Sequence, residues 1–174
     1  MLGIAAYTVA AGNQQRPFKA QSFEVVTSEG VIEGSECPAF EVNSEGSGTG
    51  THIGDFTLVR RHCFTPPDHP AFAGDVIHDG SYEIIAANGD KLWGTYSGAF
   101  QPTEFGNQGP IRGIITSPST IDGGTGRFAG AIGEYQAVGD YDLVAEQGDF
   151  TFDGWIVLIR RSVPVKFESI GGRK

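Results

Sequence analysis

The sequence predicts an all-β protein that rolls into a closed or nearly closed antiparallel barrel of eight strands. Three observations carry that expectation. Apolar residues alternate with period two from Phe18 onward, and no stretch repeats them at i, i+3, i+4 and i+7. The 174 residues include 26 glycines, roughly twice the ~7% of average usage, mixed among Phe, Tyr, Trp, Val and Ile with no collagen period. Several of them, Gly48, Gly50, Gly94, Gly98, Gly113 and Gly154, fall inside strand-like runs, where glycine marks bends at which a sheet curls shut rather than lying flat as a sandwich.

Taken in order, the candidate strands are 19–28, 29–35, 46–53, 55–63, 79–87, 91–100, 109–119, 131–144 and 149–161, each bounded by Gly, Pro, Asn or Asp. Asn88-Gly89 between two such runs predicts a tight hairpin with positive φ at both central positions. The segment 65–75 holds three prolines and so leaves the sheet, covering one end; 101–109 is the other long crossing. Residues 16–165 form a single barrel domain, 1–15 an N-terminal extension or first strand, and 166–174 a weakly ordered tail.

Charge narrows the function. A net charge of −9, with no basic block longer than Arg60-Arg61 or Arg160-Arg161, opposes nucleic acid and anionic membrane surfaces. No apolar run reaches the ~20 residues of a spanning helix, so a soluble protein without membrane insertion is expected. The opening MLGIAAYTVAAG has no positive residue before Arg16, which fits a truncated leader or a first strand and leaves cytoplasmic and secreted locations both open. Cys37 and Cys63 allow one disulfide or two buried thiols.

The stretch GGTGRFAGAIGEY, 123–135, formally matches the dinucleotide fingerprint at Gly124, Gly126 and Ala129. That motif needs a helix after it to hold a pyrophosphate, and here the following residues alternate like a strand. It reads as a glycine-rich corner anchored by Arg127 and Phe128. No metal is expected: H-x-H is absent, and His62, Cys63, Asp68 and His69 are split by two prolines. Asp140, Asp142 and Asp149 read as a solvated turn rather than a calcium site. No G-x-S-x-G occurs, which disfavours hydrolase chemistry.

What remains is polar and aromatic residues at alternating positions. Phe56, Leu58, Arg60 and His62 share one strand face and Thr57, Val59, Arg61 and Cys63 the other, so one arginine points inward or both sit near a rim. Ser81, Glu83 and Ile85 lie opposite Tyr82, Ile84 and Ala86. An inward Glu83 would meet an inward arginine; a carboxylate buried in an oily lumen has a raised pKa unless it is paired, which is how a general acid or base is made, and the alternative is an outward Glu83 on a wet face. Glu83, Arg60 and Arg61 are therefore the candidate catalytic residues. Trp93, Tyr96, Trp155, Phe152, Phe56, His62 and Tyr82 are the candidate ligand-binding walls.

GTGTHIGDFT, AANGDKLWGTYSG, GGTGRFAGAIGEY and FTFDGWI together resemble the allene oxide cyclase-like and dirigent-like barrels, particularly small bacterial members of that kind. The likeness covers roughly residues 16–161. It implies a calycin-like eight-stranded barrel with a hydrophobic lumen that cyclises or steers reactive small molecules without a cofactor, and barrels that associate through their outer faces as homo-oligomers. No catalytic residue of the family maps onto a position here, and the segment HCFTPPDHPAF departs from the shorter turn expected. The sequence-level expectation is thus a cofactor-free barrel that binds a small hydrophobic molecule and guides an isomerisation or cyclisation. The alternative is a non-catalytic carrier or secreted interaction protein with a packed barrel.

Overall fold

The computed structural model describes residues 14–71 and 76–159. The chain is all-β: β1 (Gln15–Gly30), β2 (Phe40–Gly50), β3 (Gly54–Phe64), β4 (Ile77–Ala86), β5 (Lys91–Gly106), β6 (Gly109–Ile121), the two-residue β7 (Gly123–Gly124), β8 (Ile132–Asp142) and β9 (Gln147–Val157). Each long strand pairs antiparallel with the next, and β9 returns to β1, so eight strands close an up-and-down barrel with β7 appended to β5. Closure pairs each of the eight long strands on both sides, which removes the long open edges another chain could pair with among the described residues. Among the described residues no helix is long and apolar enough to cross a membrane.

Parity decides which side chains enter. On β8 the exposed and buried residues alternate strictly, with Tyr135 and Ala137 inside and Glu134, Gln136 and Val138 outside. The same rule puts Phe18 and Ser22 of β1, Phe56 and Leu58 of β3, Tyr82 and Ile84 of β4, and Phe150 and Phe152 of β9 inside. Phe18, Tyr82, Tyr135 and Phe152 form an aromatic plug across the middle, with ring centroids 5.1–5.7 Å apart.

The two ends differ. One is sealed by the glycine-rich corner: residues 126–128 form a single 3₁₀ turn, Phe128 is buried, and Arg127 Nη2 donates to the Ile53 carbonyl at 2.8 Å. Asp90 Oδ2 accepts from Arg127 N, and Gly126 at φ 55° lies so close to the Asp90 carboxylate that no side chain fits. The corner expected from the sequence is present, and no helix follows it.

Several boundaries need correction. Of the strand expected at 29–35, Glu29 and Gly30 end β1 and the rest belongs to an irregular segment, 31–39, because Gly34 at φ 83° and Pro38 break the ladder; β2 begins already at Phe40, ahead of the strand expected at 46–53. The Asn88-Gly89 hairpin forms, but only Gly89 has positive φ. Ala86 and Asp90 pair across three residues, the form in which a type I turn precedes a glycine bulge. The expected crossing at 101–109 is the far part of a long β5–β6 hairpin, exposed on both faces and carrying bulges near Pro102 and Glu104. Cys37 and Cys63 are bonded, tying the 31–39 segment to β3. Residues 1–13, the last four residues of the proline-rich segment, 72–75, and the tail expected at 166–174 lie outside the described residues.

Candidate functional site

Above the aromatic plug the barrel is hollow. A cavity of about 370 Å³ opens at the end where Pro67 and Val76, the 31–39 and 143–146 connections and the β5–β6 hairpin meet. Its wall is mostly apolar, with Val42, Phe64, Ile77, Phe100, Ile115 and Phe150 among the lining residues and Pro67, Pro102 and Pro110 at the rim. Glycines keep the wall thin. Gly139 faces Phe150 across the β8–β9 pair, and the Phe150 ring fills the space a Cβ would need. Gly113 does the same under Phe100, where a Cβ would sit 2.5 Å from the ring. Two large rings therefore lie back against bare backbone instead of crossing the lumen.

The cavity floor carries the charge. Arg60, inward on β3 and 7% exposed, places its guanidinium 5.1–5.5 Å from the ring centroids of Tyr96, Phe150 and Phe152. Its ion-pair partner is Glu24 of β1, 5% exposed, with Oε2 3.5 Å from Nε. Glu24 Oε1 accepts from Ser22 Oγ at 2.7 Å. Burial works against the Arg60 charge, but the Glu24 carboxylate and the surrounding tyrosines outweigh it and raise its pKa. Arg60 Nε and Ser117 Oγ, both in residues lining this cavity, have no hydrogen-bond partner among the described residues, and neither has the Tyr135 hydroxyl within the plug. A guanidinium has five N–H donors, so a pair made at 3.5 Å leaves the group under-used.

Beside it, His62 Nδ1 lies 2.8 Å from the Tyr96 hydroxyl. Burial, then the charge of Arg60, push the His62 pKa down to about 4, so the imidazole is neutral at pH 7. Burial raises that of Tyr96, so the phenol is neutral too. Nδ1 accepts from the phenol in one imidazole tautomer and donates to it in the other, so the hydrogen bond can run in either direction.

The structure gathers some of the expected site residues and disperses others. Arg60, His62 and Tyr96 line the cavity. Phe56, Tyr82 and Phe152 are buried beneath it in the core, with the Tyr82 hydroxyl donating to the Thr120 carbonyl at 2.6 Å. Glu83 is on the outer face, where Lys91 Nζ pairs with it at 2.9 Å, so it is corrected from a lumen acid to a surface ion pair. Arg61 is likewise outside, bonded to Glu41 at 2.8 Å. Trp93 and Trp155 are outward too, each cross-strand from a carboxylate, Glu83 and Glu134 respectively. The physical reason is one of parity: Tyr82, Ile84 and Ala86 form the apolar face of β4, and Glu83 has to take the other.

The acid that the lumen does hold, Glu24, was missed. Its signal was the run Phe18, Ala20, Ser22, Glu24 and Val26 at one parity. Outside the barrel, Cys63, His78 and Asp79 come within metal-binding distance of one another. The Cys63 sulfur is already bonded to Cys37, while His78 engages Thr65 Oγ1 and Asp79 Oδ2, each at 2.8 Å, so the donor set does not suit an ion. Asp140 and Asp142 pair with Arg112, and Asp142 Oδ1 accepts from the amides of Val144 and Ala145 at 2.9 Å, as a solvated turn does. No family model, curated protein or solved structure matches this chain.

Proposed function

We propose that the barrel binds a small hydrophobic molecule in its open half and guides a cofactor-independent isomerisation or cyclisation there. The observation that supports it is a buried arginine with unspent donors at the floor of an apolar cavity. Burying a guanidinium costs stability unless it is fully paired, and a fold that retains one facing a cavity has a use for it. A ligand oxygen placed on Arg60 would acquire stabilisation as negative charge develops on it during enolisation or ring closure. Glu24 positions and balances the arginine, and the Tyr96–His62 pair supplies or accepts the accompanying proton. The apolar walls hold one conformer, the device that lowers the entropic part of such barriers. The same chemistry is what the likeness to allene oxide cyclase-like barrels implies.

The test uses 1-N-phenylnaphthylamine, an uncharged fluorophore that brightens in apolar surroundings. Saturable one-to-one binding is expected, and Ser44→Phe is expected to abolish it, because Ser44 lines the cavity beside Arg60, its register partner on the neighbouring strand, and a ring there fills the space over the guanidinium. Absence of saturable binding, or binding that survives Ser44→Phe in a folded protein, overturns lumen binding. Binding without turnover of any carbonyl substrate leaves a carrier that uses the same cavity.

A further inference from the structure

Resting on lumen binding, we propose that the ligand is uncharged and presents a hydrogen-bond acceptor, a ketone, lactone or ester oxygen, to Arg60, and that carboxylate-headed lipids are excluded.

The argument is a charge balance around the cavity. Among its described lining residues the groups able to carry positive charge are Arg60 and His62, and the carboxylates are Glu24 and Glu29. Arg60 is already matched by Glu24. His62 is neutral, its pKa held low by burial and by Arg60 itself. At the mouth, burial and then the neighbouring Glu146 push the Glu29 pKa up, so a further negative charge is disfavoured there. An entering carboxylate would lose its hydration, pass Glu29 and end beside Glu24 with no uncompensated cation to receive it.

A cationic ligand fares no better. The aromatic faces that would receive an ammonium, those of Tyr96, Phe150 and Phe152, are turned to Arg60. The Glu24 oxygens are engaged by Ser22 and Arg60. A pure hydrocarbon fits the walls but leaves the guanidinium donors unused. A neutral acceptor meets both requirements, since it takes a charge-assisted hydrogen bond without adding charge.

The experiment compares three ligands of similar size by displacement of the fluorophore at pH 7.5: δ-decalactone, its hydrocarbon shape-match pentylcyclohexane, and decanoate. The lactone is expected to bind at least fivefold more tightly than either of the others. In Arg60→Met the lactone's advantage over pentylcyclohexane is expected to vanish; should that variant fail to fold, the wild-type comparison still decides. An advantage below fivefold over decanoate or over pentylcyclohexane overturns the proposal while leaving lumen binding intact. Failure of all three to displace the fluorophore removes the reading on which it rests.

Discussion

Glu24→Gln isolates the charge of the buried pair with little change of shape. Gln keeps the shape: with its carbonyl oxygen turned to Arg60 Nε and its amide donating to Ser22 Oγ, which can accept as well as donate, both contacts of the carboxylate are retained and the negative charge is lost. Arg60 cannot shed its proton to escape. Leaving one partner of a buried pair uncompensated costs about 3–5 kcal/mol. For a domain of this size each kcal/mol lowers the melting temperature by ~2–4 °C, so a fall of ~6–20 °C is expected. Calorimetric melts at pH 7 of wild type, Glu24→Gln, Arg60→Met and the double variant complete a cycle. The double variant should lose less than the sum of the two singles, because removing both charges also removes the burial cost that each imposes alone. A Glu24→Gln melt within ~5 °C of wild type at unchanged urea dependence would show that Arg60 does not depend on the Glu24 charge, and the charge balance argued for the cavity would go with it.

Other perturbations separate the remaining claims. The His62 pKa is about 4 in the fold against ~6.5 unfolded, so between these values the unfolded chain holds more protons. His62 therefore costs stability as pH falls through that window, by up to about 3 kcal/mol, and His62→Gln should flatten this part of the stability profile in urea melts at pH 7 and pH 4.5. Replacing both Cys37 and Cys63 by Ser opens a loop with a sequence separation of 26 residues. The chain-entropy relation puts the cost near ~3.5 kcal/mol, read as a lower urea midpoint that reducing agent produces in wild type as well. Glu83→Gln should leave fluorophore affinity within about twofold of wild type and stability within about 1 kcal/mol, since Glu83 and Lys91 are a partly exposed pair outside the barrel. A large loss of binding in that variant would restore Glu83 to the site.

The barrel was legible because its two signals are local. Strict alternation on β8 and β9 and glycine at bends both follow from residue spacing, and the GGTGRF corner could be told from a phosphate loop by the absence of a following helix. Arg60 and His62 shared a predicted face and share it in the structure. Glu24 escaped because the usual contrast is inverted on β1. Ser22 and Glu24 are buried, while Phe23 and Val25, at 43% and 38%, are exposed. A polar inner face and an apolar outer one mislead any rule that sends oil inward, and such inversions are expected where a wall has been given over to a site. The start of β2 escaped for another reason. Phe40 and Val42 follow a segment held by the Cys37–Cys63 bond, a constraint that joins residues far apart in the chain and leaves no local pattern.

The division of the barrel into a packed half and a hollow half has an energetic consequence. Were the cavity of about 370 Å³ a dry void like those left by large-to-small core substitutions, the ~24 cal/mol per Å³ such voids cost would amount to roughly 9 kcal/mol. That is comparable to the entire ~5–15 kcal/mol net stability of a typical domain. A dry void on this scale is not sustainable, and an open mouth with charged groups at the floor removes the need for one, since water or ligand enters and solvates Arg60 and Glu24. The aromatic plug then does two things at once. Phe18, Tyr82, Tyr135 and Phe152 supply packed core that the upper barrel lacks, and they stop the cavity at the depth where Arg60 lies. A ligand that expels the water regains apolar burial along the walls, and it keeps that gain only if it also replaces water's hydrogen bond to the guanidinium. On the proposed reading, the floor, more than the walls, would set which molecules the barrel selects.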